Sequence, residues 1–433
     1  MSRDKLALTI ALLLLVASAN AQDGAPCIGE EEDKKLSSGE LDDDYVVEIV
    51  RRCNGGVIAK LKMAQAKEIR ASAKRNIPDL GFYYEISRLP IATPYRLDKT
   101  EMHSIGLRAI FPLGGIRKAY EDAEKAGAKV LEEEAQREWV DIATQVRMAL
   151  TWLRMLKKML EVLDEQIETL SKVEAISIRG YEANQGNLAV VLQLRAQIEG
   201  LKSEKKKREE EMTRYRSFMN GALQRKPEAI VEPKMISFDP EFFARLSPGR
   251  LFQKAMTNNK EIRWLEARIE EAKRLVKAKK KERDLVELEA KASYNVALEM
   301  PDSLSVMLMI NLPWLNPARS KEVRAQTTEV LALENELENK KAVLMAEIQS
   351  VITCCSKMFD AWKAVGVAID ELSKAFDLAR SIYSAGDKAI SLQEVIMIHR
   401  DYLEKRMELI GIEAEIEMKL QYLWGLLGGG IYE

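Results

Sequence analysis

The chain has 433 residues, 47% apolar and 31% charged, with 66 Lys and Arg against 68 Asp and Glu and a formal net charge of −2. That balance creates no field to draw the protein onto nucleic acid, so a nucleic-acid partner is not expected, and four cysteines are too few for a disulfide scaffold of this length. Past residue 17 no stretch offers about 18 uninterrupted apolar residues, so any membrane insertion must use strands rather than helices.

Residues 1–21 read as a signal peptide. Arg3 and Lys5 precede an apolar stretch from Leu6 to Ala17, and Ala19-Asn20-Ala21 fits the small-residue cleavage rule. The stretch is shorter than the roughly 20 residues of a spanning helix. Residues 22–39 form an acidic segment. Cys27 follows no lipobox, so lipidation there is not expected, and an oxidising compartment permits a Cys27–Cys53 bridge without the spacing deciding it.

Two similar halves follow. The first repeat, 40–224, is expected to hold a helix, strands at about 80–87 and 102–112, and a long helical hairpin over 116–224. In the first strand Leu80, Phe82, Tyr84 and Ile86 alternate with Gly81, Tyr83, Glu85 and Ser87, and in the second Ile105, Leu107, Ala109 and Phe111 alternate with Ser104, Gly106, Arg108 and Ile110. That period of two marks strands with one apolar face. From Trp139 the apolar residues Ile142, Val146, Ala149, Leu153, Leu156, Leu160, Leu163, Ile167 and Leu170 follow in steps of three and four, a coiled-coil seam. A single helix from Ile116 to Gly180 spans roughly 95 Å, longer than any compact domain uses. The polar break Asn184-Gln185-Gly186-Asn187 then turns the chain back.

A linker is expected at 225–246, and the second repeat, 247–428, restates the first. Its strands fall at about 286–299 and 303–312, its hairpin at 317–428, and a short tail at 429–433. Val286, Leu288, Ala290, Ala292, Tyr294, Val296 and Leu298 alternate with polar residues, as do Leu304, Val306, Leu308, Ile310 and Leu312. Its helical seam runs Leu344, Ile348, Val351, Cys355, Met358, Trp362, Val365, Ile369, Leu372 and Phe376, which makes Cys355 a core residue rather than half of a Cys354–Cys355 metal or redox site. Gly386-Asp387-Lys388 breaks the second hairpin. Tyr181 matches Tyr383, Leu188 matches Ile390 and Arg117 matches Arg319 at a constant offset of 202. Duplication is the simplest account.

Strands of 8 to 13 residues suit a tilted bilayer crossing, with Leu107, Ala109, Val306 and Leu308 facing lipid and the polar rows facing a lumen. Membrane barrels need about eight strands, so four require other copies for closure. The fold class is therefore mixed and mostly α: four transmembrane β-strands per protomer and very long α-helical hairpins. No catalytic, cofactor-binding or metal residues are assigned. His103 and His399 belong to different ends of the repeat pattern, and no phosphate loop, nucleophile elbow or paired Cys/His spacing occurs.

The chain resembles the TolC-like outer-membrane efflux factors. The carriers are the turns Phe111-Pro112-Leu113-Gly114-Gly115 and Leu312-Pro313-Trp314, the tip Tyr383-Ser384-Ala385-Gly386, the closing Leu423-Trp424-Gly425-Leu426-Leu427-Gly428 and the Asn258-Asn259-Lys260-Glu261-Ile262 stretch. The first copy departs at Asn184 and Gln224, where the family pattern has Gly. The turns are most similar to the heavy-metal efflux branch. The resemblance implies a homotrimer in the outer membrane, with a twelve-stranded β-barrel and a periplasmic coiled-coil α-barrel acting as a passive duct. A periplasmic adaptor (membrane fusion) protein and an inner-membrane pump are the implied partners, besides outer-membrane lipid.

Carried over by position, Asn184, Gln185, Gly186, Asn187, Gly386, Asp387 and Lys388 are adaptor-docking tips, and Glu394 and Asp401 are candidates for an acidic periplasmic gate. Glu394 falls two positions later than the family spacing, which leaves the register open. Cargo also stays open among metal ions, drugs and polypeptides, although Met307 and Met309 point toward the expected lumen. The competing reading is a periplasmic or surface-associated coiled-coil scaffold whose strands form a small soluble sheet.

Overall fold

The computed structural model describes residues 28–53, 55–73, 79–87, 102–182, 188–236, 246–297, 301–384 and 390–429. The expected signal peptide and Cys27 lie outside them. In chain order the elements are α1 (Glu30–Ser38), α2 (Asp43–Cys53), α3 (Gly55–Ala73), β1 (Asp79–Ser87), β2 (Met102–Pro112), α4 (Ile116–Glu182), α5 (Leu188–Ala222), α6 (Pro248–Asn258), α7 (Lys260–Asp284), β3 (Glu287–Ala297), β4 (Ser303–Asn311), a 3-10 turn (Pro313–Leu315), α8 (Pro317–Ser384) and α9 (Leu392–Leu426). Contacts divide the chain into a helical unit (Met1–Ala59, Arg137–Asn259, Ala342–Glu433) and a sheet unit (Lys60–Gln136, Lys260–Lys341).

In the sheet unit the strands pair antiparallel in the order β1-β2-β3-β4. The join between repeats is the central β2–β3 pair, which aligns Leu107 with Ala292 and Arg108 with Lys291. Tyr83 lies opposite Gly106. A Cβ at Gly106 would stand 2.8 Å from the Tyr83 ring and 2.4 Å from the Ala292 carbonyl oxygen, so only glycine admits this ring over the β2 backbone. The two strand-to-helix turns solve one problem with different chemistry. The first uses Gly114 and Gly115 at φ 67° and 78°; the second uses a 3-10 turn, after which the Asn316 side chain accepts from the Ala318 amide at 3.0 Å. Below the turns, Arg70 grips Glu132 through two bonds of 2.6 and 2.8 Å, and Ala272, Val276 and Val330 form a small core.

The helical unit is organised on the α4 seam. Val146, Ala149, Leu153, Leu156, Leu163 and Leu170 are buried there, and Trp139, Ile142, Leu160 and Ile167 pack beside them. On α8, Leu344, Ile348, Val351 and Cys355 are buried, whereas Met345, Val367 and Leu378 are left exposed. One window of α8 is long and apolar enough to cross a membrane by composition, at mean hydropathy 1.3. The seam accounts for part of that apolarity. Cys354 and Cys355 are free, and burial pushes the Cys355 thiol up to about 11, so it stays protonated and packs as a small apolar group. Cys53 is disulfide-bonded.

Over 225–236 the expected linker is packed against the N-terminal segment. The Glu232 amide donates to the Leu36 carbonyl at 3.0 Å, Val231 is fully buried, and Arg225 meets Asp33 at 2.6 Å. The acidic N-terminal segment accordingly contains a helix, α1. Beside it, buried Arg154 donates to both oxygens of Asp43 at 2.8 and 3.0 Å and lies 3.6 Å from Glu417. Arg147 pairs with Asp44 and sits 4.6 Å over the Trp424 ring. Burial raises the Glu417 carboxyl despite Arg154 nearby.

The helix ends revise the repeat alignment. Gln224 (φ 54°) and Gly428 (φ 70°) hold the same left-handed position after α5 and α9, 204 positions apart rather than 202. Both returning helices are 35 residues long. The counterpart of Leu188 is therefore Leu392, not Ile390, because the Ser391–Glu394 cap fixes where α9 begins. The second tip is two residues longer. Gly428 is also sterically required, since a Cβ would stand 2.1 Å from the Asn258 carbonyl oxygen.

Replacing Arg154 with Ala leaves Asp43 and Glu417 facing a buried void and should cost about 3–5 kcal/mol. Lys172→Ala, which removes an exposed pair with Glu168, should cost under about 0.5 kcal/mol. Urea unfolding of the two variants side by side checks the contrast.

Candidate functional site

The sheet has two chemically distinct faces. Register carries the expected lipid-facing residues into two rungs, Phe82–Leu107–Ala292–Val306 and Leu80–Ala109–Ala290–Leu308. Along β4 the apolar row is almost bare: Leu304 is 80% exposed, Val306 75% and Leu308 67%. A soluble sheet buries such a row.

The opposite face is polar, and Ser104, Ser293 and Asn295 are buried on it. Asn295 donates to Ser303 at 3.4 Å and to Ser305 at 2.5 Å, and the Ser293 hydroxyl donates to Asn295 at 3.1 Å. One rung away, Arg108 and Lys291 stand directly opposite each other. Like charges so placed repel, and Glu289 relieves this from 3.7 Å and 3.6 Å respectively. Met307 and Met309 pair with Lys291 and Glu289, on the polar face as the alternation expected. Among the described residues no group of three His, Cys, Asp or Glu is arranged to hold a metal ion.

The docking residues Asn184, Gln185, Gly186, Asn187, Gly386, Asp387 and Lys388 lie outside the described residues. Glu394 and Asp401 are described, seven residues apart and so on one face of α9. Glu394 completes a capping box: its carboxylate accepts from the Ser391 amide at 2.7 Å and hydroxyl at 2.9 Å. Those bonds hold its carboxyl below the usual range. Asp401 is exposed and 3.1 Å from Arg400. Glu394 thus has a local structural role, and Asp401 is partly offset by its neighbour.

The histidines fall in separate units. His103 Nδ1 meets the Tyr84 hydroxyl at 2.6 Å in the sheet. His399 is buried in the helical unit, its ring 4.5 Å from Phe376 and 6.5 Å from Tyr402. Sequence reasoning missed Arg319 as a junction residue. It donates to the Glu282 carbonyl at 2.7 Å and lies 3.8 Å from Glu287. Its recurrence opposite Arg117 was the available signal.

No protein-family model matches the chain, and no curated protein matches it in sequence. Solved structures do match. The outer-membrane channel OprN aligns with a TM-score of 0.72 at 16% identity, over 96% of this chain and 95% of that one. The outer membrane protein VceC of Vibrio cholerae gives 0.71 at 17%, over 90% and 96%, and CusC, whose structures concern transmembrane channel formation, gives 0.70 at 18%, over 95% and 96%. The chain has the TolC-like fold. Such coverage means that the TolC-like architecture accounts for the sheet and both hairpins together, as the duplicated motifs led one to expect.

Burial lowers the His399 pKa below its usual 6.5, with Glu165 opposing and Arg406 reinforcing the shift. The folded state therefore binds fewer protons than the unfolded one, and the stabilisation present above pH 6.5 is lost as pH falls through the lowered value. Protection factors around residues 396–403, taken against the intrinsic exchange rate at each pH, should fall at pH 5 relative to pH 7.5, and His399→Phe should flatten that difference.

Proposed function

We propose that the protein is an outer-membrane channel-tunnel, a passive trimeric duct that joins a periplasmic adaptor and an inner-membrane pump to the cell exterior. The observation that carries this reading is the open sheet: an exposed apolar face, a polar opposite face, and edges β1 and β4 that have one neighbour each among the described residues. Three copies supply twelve strands, above the roughly eight a membrane barrel needs, and seat each free edge against the next. The apolar side chains left open on α8 are then the surface a second copy covers. Transport through such a duct needs no catalytic group. The likeness to CusC does not select metal cargo, because OprN and VceC match as well.

The tips are proposed to dock the adaptor, and the face of α9 bearing Glu394 and Asp401 to line the periplasmic mouth. Release of the protein from membranes by salt alone would favour the scaffold reading instead.

Leu107→Arg and Leu308→Arg should each cost about 2–4 kcal/mol near mid-bilayer and block membrane assembly. Loss of the detergent-extracted, heat-sensitive trimer on gels checks this, and normal trimers would count against the lipid-facing placement. Gly386→Val should instead reduce efflux while leaving the trimer intact. Wild-type efflux by that variant removes the docking assignment.

A further inference from the structure

At the end of the sheet where β2 and β4 hand over to helices, charge and apolarity concentrate together. Segments 112–118, 277–287 and 313–321 carry nine Lys and Arg against three Asp and Glu. They form one packed junction. The Lys281 ammonium donates to the Gly115 carbonyl at 3.3 Å, the Leu113 amide donates to the Val286 carbonyl at 3.3 Å, and Arg319 reaches the Glu282 carbonyl at 2.7 Å.

The acids of this junction are already engaged. Glu282 holds Lys279 at 3.0 Å and accepts from Tyr120, Asp284 is bound by Arg283 at 2.6 Å, and Glu287 faces Arg319. Lys118, Lys280 and Lys321 remain exposed, and among the described residues none of the three is in an ion pair. The turns also expose large apolar groups: Leu315 is 72% exposed and Trp314 51%. A soluble junction has no use for a bare indole beside unpaired ammonium groups. An interfacial one does, since Trp settles at headgroup depth and nearby Lys attracts anionic lipid.

We propose that this junction is a binding site for anionic glycerophospholipid headgroups of the leaflet facing the periplasm, with Trp314 and Leu315 in the acyl boundary and Lys118, Lys280 and Lys321 meeting the phosphates. The proposal rests on the outer-membrane reading. It adds that the junction discriminates lipid by charge. Lysine suits the task, because its flexible stem lies along apolar surface while the ammonium reaches the headgroup.

The test uses the full-length trimer in nanodiscs that contain either brominated phosphatidylglycerol or brominated phosphatidylethanolamine at equal mole fraction. Quenching is read as the difference between wild type and Trp314→Phe, which isolates one of the six tryptophans. The expected result is preferential quenching by phosphatidylglycerol, with the relative binding constant falling about fivefold for each of Lys118→Gln, Lys280→Gln and Lys321→Gln. Molar salt should erase the preference in unmodified protein, a check that needs no variant to fold. Equal quenching by both lipids overturns the proposal while leaving the membrane reading intact. No quenching by either lipid overturns both.

Discussion

A strand edge in hydrocarbon has nowhere to send its backbone hydrogen bonds, and each unmatched group costs several kcal/mol there. Among the described residues the sheet has two free edges, β1 and β4, and a bare apolar face, and the proposed outer-membrane reading puts those edges in hydrocarbon. On the proposed reading the sheet closes with copies of itself and the helices that leave it stand in a ring, an arrangement that favours seams on more than one side of each helix. The seams of α4 and α8 are buried within the protomer, and the apolar residues still exposed on α8 are those the proposed ring would cover.

Within the protomer, duplication supplies the geometry and local chemistry supplies the differences. Gln224 and Gly428 adopt the same left-handed backbone, yet only the glycine is required by a close approach, that of the Asn258 carbonyl. The strand-to-helix turns use paired glycines in one copy and a 3-10 turn capped by Asn316 in the other. Identical folds thus tolerate unlike residues where the backbone has a second way to close its hydrogen bonds. Where two backbones touch, they do not.

Strands and seams were legible in the sequence because they are periodic, and period is a local property of the chain. The polar anchorage of the helical unit was not. Asp43 and Arg154 are far apart in sequence and each is an ordinary charged residue, so nothing local marks them as a buried bidentate pair. The packing of segment 225–236 was hidden for a related reason: its prolines and charges read as a linker, and its burial comes from α1, which packs on it through Leu36 and Asp33. At the candidate gate, the structure adds a local role for Glu394. The second tip is longer by two residues, and Glu394 sits where the helix cap needs it.

That extra length has a bearing on symmetry. Five residues join Glu182 to Leu188, whereas seven join Ser384 to Leu392. In a ring of three copies the six tips would alternate short and long, giving a rim with threefold rather than sixfold character. A collar of identical partner subunits would then meet two kinds of foothold in strict alternation. Its members would have to bind in two poses, or every second one would bind more weakly, so the assembly could be loosened at three positions without letting go at the other three.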